Sequence, residues 1–375
     1  MSKKVKLGAI CDFVNGKAFN ANDWEESGVP IIRIQNLNDE SKPFNYCIKP
    51  VEEKYKVKNG DLLFSWSGTP GTSFGAFVWV RGDAYLNQHI FNVKTDSEVV
   101  DKRFLYHSLN ASIHLMIDQA HGGVGLQHIT KKKLEDIEIN LPPLEEQKRI
   151  AAILDKAESL RRKRAQAIAL ADDFLRATFL DLFGDPVTNP KGWPVKAFDE
   201  VCTSRLGKML DKGKQGNSNF RPYLRNANVR WFDFELSDVY EMDFSEKDRE
   251  TFRLTPGDIL ICEGGEPGRA AIWKGQIEEM YYQKALHRAR PKPDVAKGEY
   301  IVWLFYMLSK ANGFDDHVTS ATIAHLTGEK LKAMNVMLPP LTLQEEFNSI
   351  ASKVSKIVDK QSQALECIKN LRLNP

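Results

Sequence analysis

Two long segments of the chain carry apolar residues at alternating steps of three and four positions and contain no proline or glycine. They are residues 145–182 and 343–372. The later segment has the ladder Phe347, Ile350, Val354, Ile357, Gln361, Ala364, Ile368 and Leu371. The same ladder occurs 197 residues earlier, at Ile150, Ile153, Ala157, Leu160, Arg164, Ala167, Ala171 and Phe174. This heptad spacing predicts two long helices that pair through the ladder, with Arg164 and Gln361 as the polar position that sets register.

An amphipathic helix that lies on its own domain produces a similar pattern, so this alternative stays open. The equal length and register of the two ladders favour pairing of the helices with each other. We therefore expect an antiparallel coiled coil.

Outside these segments, short apolar runs between turn residues predict a mixed fold. The runs at 29–34, 61–66, 76–80, 258–262 and 270–274 are typical of strands, whereas 103–118 and 299–314 have helical spacing. Gly-Thr-Pro-Gly at 68–71 and Gly-Glu-Pro-Gly at 265–268 are typical turn sequences. The expected fold class is α/β (α+β).

The chain repeats itself. Residues 59–71 (NGDLLFSWSGTPG) correspond to 256–268 (PGDILICEGGEPG), and the LPPL sequence at 141–144 recurs at 338–341. Near each start the offset is 191 or 192, so that Gly16 matches Gly207, Arg33 matches Arg225 and Asn36 matches Asn228. The repeat predicts two similar globular domains related by a pseudo-two-fold axis, a layout that suits double-helical DNA. The predicted boundaries are a first domain at 1–144, a central helix at 145–182, a linker and second domain at 183–340, and a C-terminal helix at 341–375.

Composition and charge limit the possible functions. The five cysteines include no CxxC pair, no apolar run approaches a membrane span, and the start lacks a signal peptide, so we expect a cytoplasmic protein. Basic and acidic residues are equal in number in both domains, with 17 of each in 1–144 and 22 of each in 183–340. If the protein binds DNA, its positive charge must therefore be sorted onto one face, or a partner must supply phosphate contacts.

The chain resembles the DNA-specificity subunit of type I restriction–modification systems. The resemblance rests on residues 141–166 (LPPLEEQKRIAAILDKAESLRRKRAQ), the FGDP at 183–186, the two glycine-rich turns and the second LPPL opening. It implies that each globular part is a target recognition domain that reads one half of a bipartite DNA site. It also implies that the paired helices set the spacing and dock two methyltransferase subunits, which endonuclease/translocase subunits then join. S-adenosylmethionine, ATP and magnesium are expected on those partners, and no cofactor on this chain.

The residues provide no catalytic motif of their own. There is no GxxxxGK[ST] segment, no Asn-Pro-Pro-aromatic loop and no cluster with zinc-ligand spacing. We therefore expect a non-catalytic subunit with no catalytic or metal site. The alternative from another class is a protein-only scaffold whose two globular domains bind protein partners.

Candidate DNA-binding residues are polar and follow strands or lie in loops. Arg33, Gln35, Arg225 and Asn226 follow strand signals, and such side chains can pair with guanine or adenine edges. Asn36 and Asn228 could equally well close a turn. Polar residues that differ between the domains are better candidates for base reading: Ser67, Thr69, Gln88, His89, His121 and Gln127 in the first, and Glu266, Arg269, Gln283, Lys284, Thr319, Ser320 and Thr322 in the second. The basic run Arg161–Arg164 is either a solvated helix face or a contact to the DNA spacer or to an acidic partner.

Overall fold

The chain forms two compact units, Met1–Arg162 (unit 1) and Lys163–Pro375 (unit 2). The computed structural model describes residues 3–69, 72–119, 127–209, 219–314 and 325–373, with the backbone alone described at 119, 127 and 367–373. Among these residues, no helix combines the length and the apolarity that a membrane crossing requires.

Unit 1 contains twelve strands among its described residues. They are β1 (Lys3–Lys6), β2 (Cys11–Asn15), β3 (Val29–Ile32), β4 (Asn45–Cys47), β5 (Lys56–Val57), β6 (Leu62–Ser65), β7 (Ser67–Gly68), β8 (Gly75–Val78), β9 (Ala84–Leu86), β10 (Ile90–Thr95), β11 (Gln127–His128) and β12 (Glu138–Leu141). Its helices are α1 (Ile34–Asn38), α2 (Lys102–Ala111), α3 (Ile113–Gln119), α4 (Lys131–Glu135) and the start of α5 (Leu144–Phe183).

Two four-stranded sheets organise unit 1. The first has the order β2-β10-β6-β8 and is antiparallel, and the second has the order β4-β3-β9-β5. In the second sheet, β3 and β9 run parallel. The core lies between the first sheet and α2, and includes the buried side chains of Phe13, Phe64 and Leu105.

Unit 2 repeats this architecture. Its strands are β13 (Val195–Ala197), β14 (Cys202–Leu206), β15 (Phe220–Leu224), β16 (Tyr240–Asp243), β17 (Ile259–Cys262), β18 (Ala270–Ile272), β19 (Tyr281–Tyr282), β20 (Leu286–Pro291) and β21 (Asn335–Met337). Its helices are α6 (Phe198–Val201), α7 (Glu246–Phe252), α8 (Gly298–Lys310), α9 (Gly328–Ala333) and α10 (Leu341–Leu373), together with the end of α5.

The sheet order confirms the predicted duplication. The sheet β14-β20-β17-β18 corresponds to β2-β10-β6-β8, and the sheet β16-β15-β19 corresponds to β4-β3-β9. The pair β15 and β19 is parallel, as β3 and β9 are. The predicted mixed fold and internal repeat are therefore correct.

Each long helix begins with the same glutamine arrangement. The Gln147 side chain accepts a hydrogen bond from the Asp101 amide at 2.9 Å and donates to the Val99 and Pro142 carbonyls. Gln344 does the same with the Lys297 amide at 2.9 Å and the Val295 and Pro339 carbonyls. These buried bonds fasten the first turn of each helix to the loop that precedes α2 or α8.

Within unit 2, the end of α5 packs against the start of α10, as antiparallel helices require. The Phe347 ring lies 5.6 Å from the rings of both Phe179 and Phe183. Phe347 also contacts Trp303 of α8 at 5.6 Å, so the two helices share their contact with the globular part. Arg164 and Gln361 are both partly buried.

The predicted ladder is wrong in detail. Phe174 and Ile357 are 52% and 57% exposed, whereas Leu175 is buried and Val358 is partly buried. An α-helix turns every 3.6 residues, so a strict 3.5-residue ladder drifts by about 20° per heptad and the buried stripe moves to the next residue.

In unit 1, the early part of the ladder does not form a uniformly buried stripe. Ile153 and Leu160 are 55% and 40% exposed, whereas Ile150 packs against the core of unit 1. The remaining ladder residues Ala157, Ile350 and Val354 are partly buried. The first turns of α5 thus pack against the core of unit 1.

Two element predictions also need correction. The run 29–34 ends as a strand at Ile32, because the Asn36 side chain accepts the Arg33 amide and a short helix starts at Ile34. The predicted helix 103–118 is divided at Ser112 into α2 and α3. At the turn 68–71, Pro70 and Gly71 lie outside the described residues.

Candidate nucleic-acid interface

Four of the predicted residues of unit 1 line one pocket. The pocket has a volume of about 360 Å³ and is bounded by Phe19, Trp24, Arg33, Ile34, Gln35, Asn87, Gln88 and His89. It forms because β3 and β9 are parallel neighbours, paired at Ile32 and Leu86. Residues that follow parallel strands emerge at the same edge of the sheet, so Arg33 and the loop 87–89 meet there.

The Arg33 guanidinium has neutral neighbours in this pocket. It donates to the Asn45 side-chain oxygen at 3.1 Å and lies over the Trp24 ring at 5.5 Å. Within the described part of unit 1, no carboxylate lies at ion-pair distance from it. Its positive charge is therefore available to a ligand.

The corresponding Arg225 of unit 2 is neutralised. Its guanidinium forms an ion pair with the Asp238 carboxylate at 2.7 Å and lies 3.5 Å from the centre of the Tyr240 ring. The two arginines occupy the same place after parallel strands, but only Arg33 keeps an unpaired charge. The two units therefore differ in the charge that they present at this position.

Asn36 and Asn228 close turns, which favours the structural interpretation of these two residues. Each is buried, and each accepts a backbone amide from the preceding arginine, at 3.1 Å in unit 1 and 2.9 Å in unit 2. Each amide group also donates to two loop carbonyls.

Three candidates of unit 2 form one hydrogen-bonded network. Arg269 pairs with the Glu266 carboxylate at 3.1 Å and donates to the Asn226 carbonyl at 3.1 Å. Glu266 also accepts from the Trp231 indole at 2.7 Å, and the Asn226 side chain donates to the Gly264 carbonyl at 2.7 Å. Because Glu266 and Arg269 compensate each other, this network presents little net charge.

The repeat predicts that Gln88 and His89 correspond to Gln283 and Lys284, but the backbone pairing shifts this match by one residue. Lys17 bridges Asn87 in unit 1, and Lys208 bridges Gln283 in unit 2. Asn87 therefore corresponds to Gln283, Gln88 to Lys284, and His89 to Ala285. Lys284 is exposed.

Burial favours the neutral form of His89, the loop histidine of unit 1. Burial, with a further contribution from nearby His128, lowers the pKa of His89. Its Nε2 lies 3.4 Å from the Gln88 side-chain nitrogen. Its Nδ1 is buried and has no hydrogen-bond partner among the described residues.

The other candidates of unit 1 have different positions. Ser67 is buried in β7, opposite His128 of β11. Thr69 is exposed, and its carbonyl accepts the amides of Thr72, Ser73 and Phe74. Gln127 has only its backbone described, and His121, Thr319, Ser320 and Thr322 lie outside the described residues.

A model of the type I restriction modification DNA specificity domain matches residues 2–169 and again residues 190–370. The chain belongs to this family. The two matched regions agree with the two similar units.

Known specificity subunits share sequence and fold with the chain. The chain is 30% identical to the specificity subunit of the Escherichia coli type I restriction enzyme EcoBI. This match covers 40% of the chain and 31% of that subunit, which is less than a third of the relative. The chain is 23% identical to the EcoKI specificity subunit of Escherichia coli K12, over 87% of this chain and 75% of the other. The S subunit structure from M. genitalium superposes with a TM-score of 0.65 at 14% identity, covering 99% of this chain and 94% of the other.

The sequence of this specificity-family chain did not lead us to predict Trp24, Phe19 and Asn87 as residues of the pocket. Trp24 is 41% exposed and lies in the polar stretch 20–27. An isolated aromatic residue in such a stretch is a recognisable signal, because tryptophan is enriched at binding surfaces. Asn87 gave no signal, because its place depends on the pairing of β3 with β9.

His107, Asp155 and Glu158 of unit 1 lie close enough together to hold a cation. However, Arg103 donates to both oxygens of the Asp155 carboxylate, which also bonds His107 at 2.7 Å. The Arg103 guanidinium holds the pKa of Asp155 below its ordinary value. This arrangement is an ion-pair network that fastens α2 to α5, and its guanidinium occupies the carboxylate that a metal would need.

Proposed function

We propose that the protein is the sequence-specific DNA-binding subunit of a type I restriction–modification complex, and that it catalyses no reaction itself. Each unit reads one half of a bipartite site in double-stranded DNA. The observation that carries this proposal is the pocket of unit 1, which gathers Arg33, Gln35, Gln88 and His89 at the end of two parallel strands. The repetition of these strands in unit 2 supports a second reading site.

The side chains at these sites suit base edges in the major groove. Arginine pairs with guanine through two hydrogen bonds, and glutamine pairs with adenine in the same way. Arg33 and Gln88 supply these groups in unit 1. In unit 2, Lys284 is the exposed cation at the position of Gln88, so we expect the units to read different bases.

The long helices supply surface for protein partners. Leu170 and Phe174 of α5 are 59% and 52% exposed, and both are large apolar side chains. Such residues on a helix face suit a protein contact. We infer that two methyltransferase subunits dock on the helices and that endonuclease/translocase subunits join them, with S-adenosylmethionine, ATP and magnesium bound by those partners. A related type I structure is described for its complex assembly. The complex would act on DNA in the cytoplasm.

Footprinting of the complex with its methyltransferase partner on genomic fragments tests the proposal. We expect protection of a split sequence with two short specific segments. The variant Gln88→Ala should change the preferred bases in one segment, and Lys284→Ala should change those in the other. A complex that protects no particular sequence would contradict DNA reading and favour the alternative, a scaffold whose two units bind only proteins.

A further inference from the structure

We propose that Trp66 is a positioning residue for DNA recognition by unit 1, because its indole holds the Gln88–His89 loop in place. This inference rests on the proposed function. Trp66 follows β6 and is partly buried beside the pocket, where it does not itself line the wall.

Trp66 contacts both loop residues. Its indole nitrogen donates to the Gln88 carbonyl at 3.2 Å, and its backbone amide donates to the His89 carbonyl at 3.4 Å. The indole and imidazole rings are 5.2 Å apart. Among the described hydrogen bonds, those that tie Gln88 and His89 to the rest of unit 1 all come from Trp66.

Trp66 is itself firmly placed. Its ring lies 6.0 Å from Phe91 and 6.1 Å from His128, and its carbonyl accepts the Ile129 amide at 3.1 Å. The indole nitrogen also lies 3.4 Å from the Asn15 side-chain oxygen. The residue therefore connects the loop to Phe91 of β10 and to His128 of β11.

Unit 2 fastens the equivalent loop in a different way. Glu263 takes the backbone place of Trp66, since its amide donates to the Ala285 carbonyl at 2.9 Å and its carbonyl accepts the Leu326 amide at 2.7 Å. There the Lys284 amide donates directly to the Lys208 carbonyl at 2.7 Å. No bond from the Gln88 amide to Lys17 occurs among the described contacts of unit 1. The loop of unit 1 is thus held by an indole bond to the Gln88 carbonyl, whereas the loop of unit 2 is held by a bond from the Lys284 amide.

The test compares two tryptophan variants of unit 1 in the full chain, complexed with its methyltransferase partner. Trp66→Phe removes the indole donor and keeps an aromatic ring. Trp79→Phe is the matched control, since it removes an indole bond to the Gly82 carbonyl elsewhere in unit 1. Each complex selects sequences from a randomised duplex library. We expect Trp66→Phe to lower base discrimination about fivefold at the unit 1 half-site only, the scale of one neutral hydrogen bond, and Trp79→Phe to leave it unchanged.

Amide hydrogen exchange supplies a second readout. The Ile90 amide donates to the Asn87 carbonyl at 3.2 Å and closes the loop. Its exchange should accelerate in Trp66→Phe and not in Trp79→Phe. If Trp66→Phe does not fold, benzothienylalanine introduced at position 66 keeps the ring shape and removes only the N–H. Equal selection profiles for wild type and the position 66 variant would overturn the positioning role. A wild-type complex that selects no sequence would instead contradict the proposed function.

Discussion

The variant Asn36→Ala tests whether a residue shared by both units is part of the scaffold. Asn36 is 2% exposed, and its side chain makes three hydrogen bonds to the backbone of its own turn. Alanine leaves the Arg33 amide and the carbonyls of Lys42 and Pro43 without these partners. The exposed Asn38, two residues later, provides a matched control as Asn38→Ala.

The magnitude follows from the number of bonds. Each lost hydrogen bond costs about 1 kcal/mol net, so Asn36→Ala should destabilise unit 1 by about 3 kcal/mol. For a unit of this size, 1 kcal/mol shifts the melting temperature by about 2–4 °C, which gives a decrease of about 6–12 °C. Asn38→Ala should change it by about 1 °C or less, because its side chain is exposed.

Calorimetry of the full chain measures this effect, with the transition of unit 1 followed separately from that of unit 2. Library selection at a temperature where the variant is folded adds the functional readout, and we expect unchanged base preference. Asn36→Ala with an unchanged transition and an altered base preference would show that Asn36 reads DNA and that the turn does not need it.

Three further predictions follow from single contacts. A Cβ atom at Gly16 would lie 2.2 Å from the Asn87 carbonyl oxygen, so Gly16→Ala should displace the Gln88–His89 loop. Library selection should then show no base discrimination at the unit 1 half-site, with the other half-site as internal control. Burial lowers the pKa of His287 in the folded protein, so the unfolded chain binds a proton at a higher pH than the folded chain does. Unit 2 should therefore lose stability as the pH falls below about 6.5. His287→Phe should flatten that dependence, as calorimetry at pH 7.5 and 5.5 would measure. Asp238→Asn should release the charge of Arg225 and steepen the salt dependence of DNA affinity by about 0.9 in log–log slope; an unchanged slope would show that Arg225 does not meet phosphate.

The sequence predicts best the features that are repeated, because equivalent side chains make the same hydrogen bonds to the backbone in both units. Asp61 accepts the amide of Lys58, and Asp258 accepts that of Thr255, so the shared Gly-Asp pairs close equivalent turns. Gln147 and Gln344 fasten equivalent helix starts. Local patterns of this kind are visible along the chain because the interacting groups are near in sequence or duplicated.

The candidate site was less predictable because its walls come from distant parts of the chain. The loop after β9 meets Arg33 only through the parallel pairing of β3 with β9. The local sequence near Asn87 or Phe19 contains no signal that places these residues beside Arg33. The exact helix seam was missed for another reason, since a period of 3.6 residues departs steadily from a seven-residue repeat.

The contrast between the units shows how a single scaffold supports two different binding surfaces. Unit 2 has a cleft of about 650 Å³ lined by residues that include Arg205, Glu263 and His287. At the backbone positions of the last two, unit 1 has Trp66 and Phe91, whose rings pack together at 6.0 Å. Exchange of an indole and a phenyl ring for a carboxylate and an imidazole thus turns a filled surface into a polar cleft. The sheet order is unaffected, because the bonds that set it involve backbone atoms. The surface chemistry of the units can therefore differ while their fold remains the same, as the proposed reading of different bases requires.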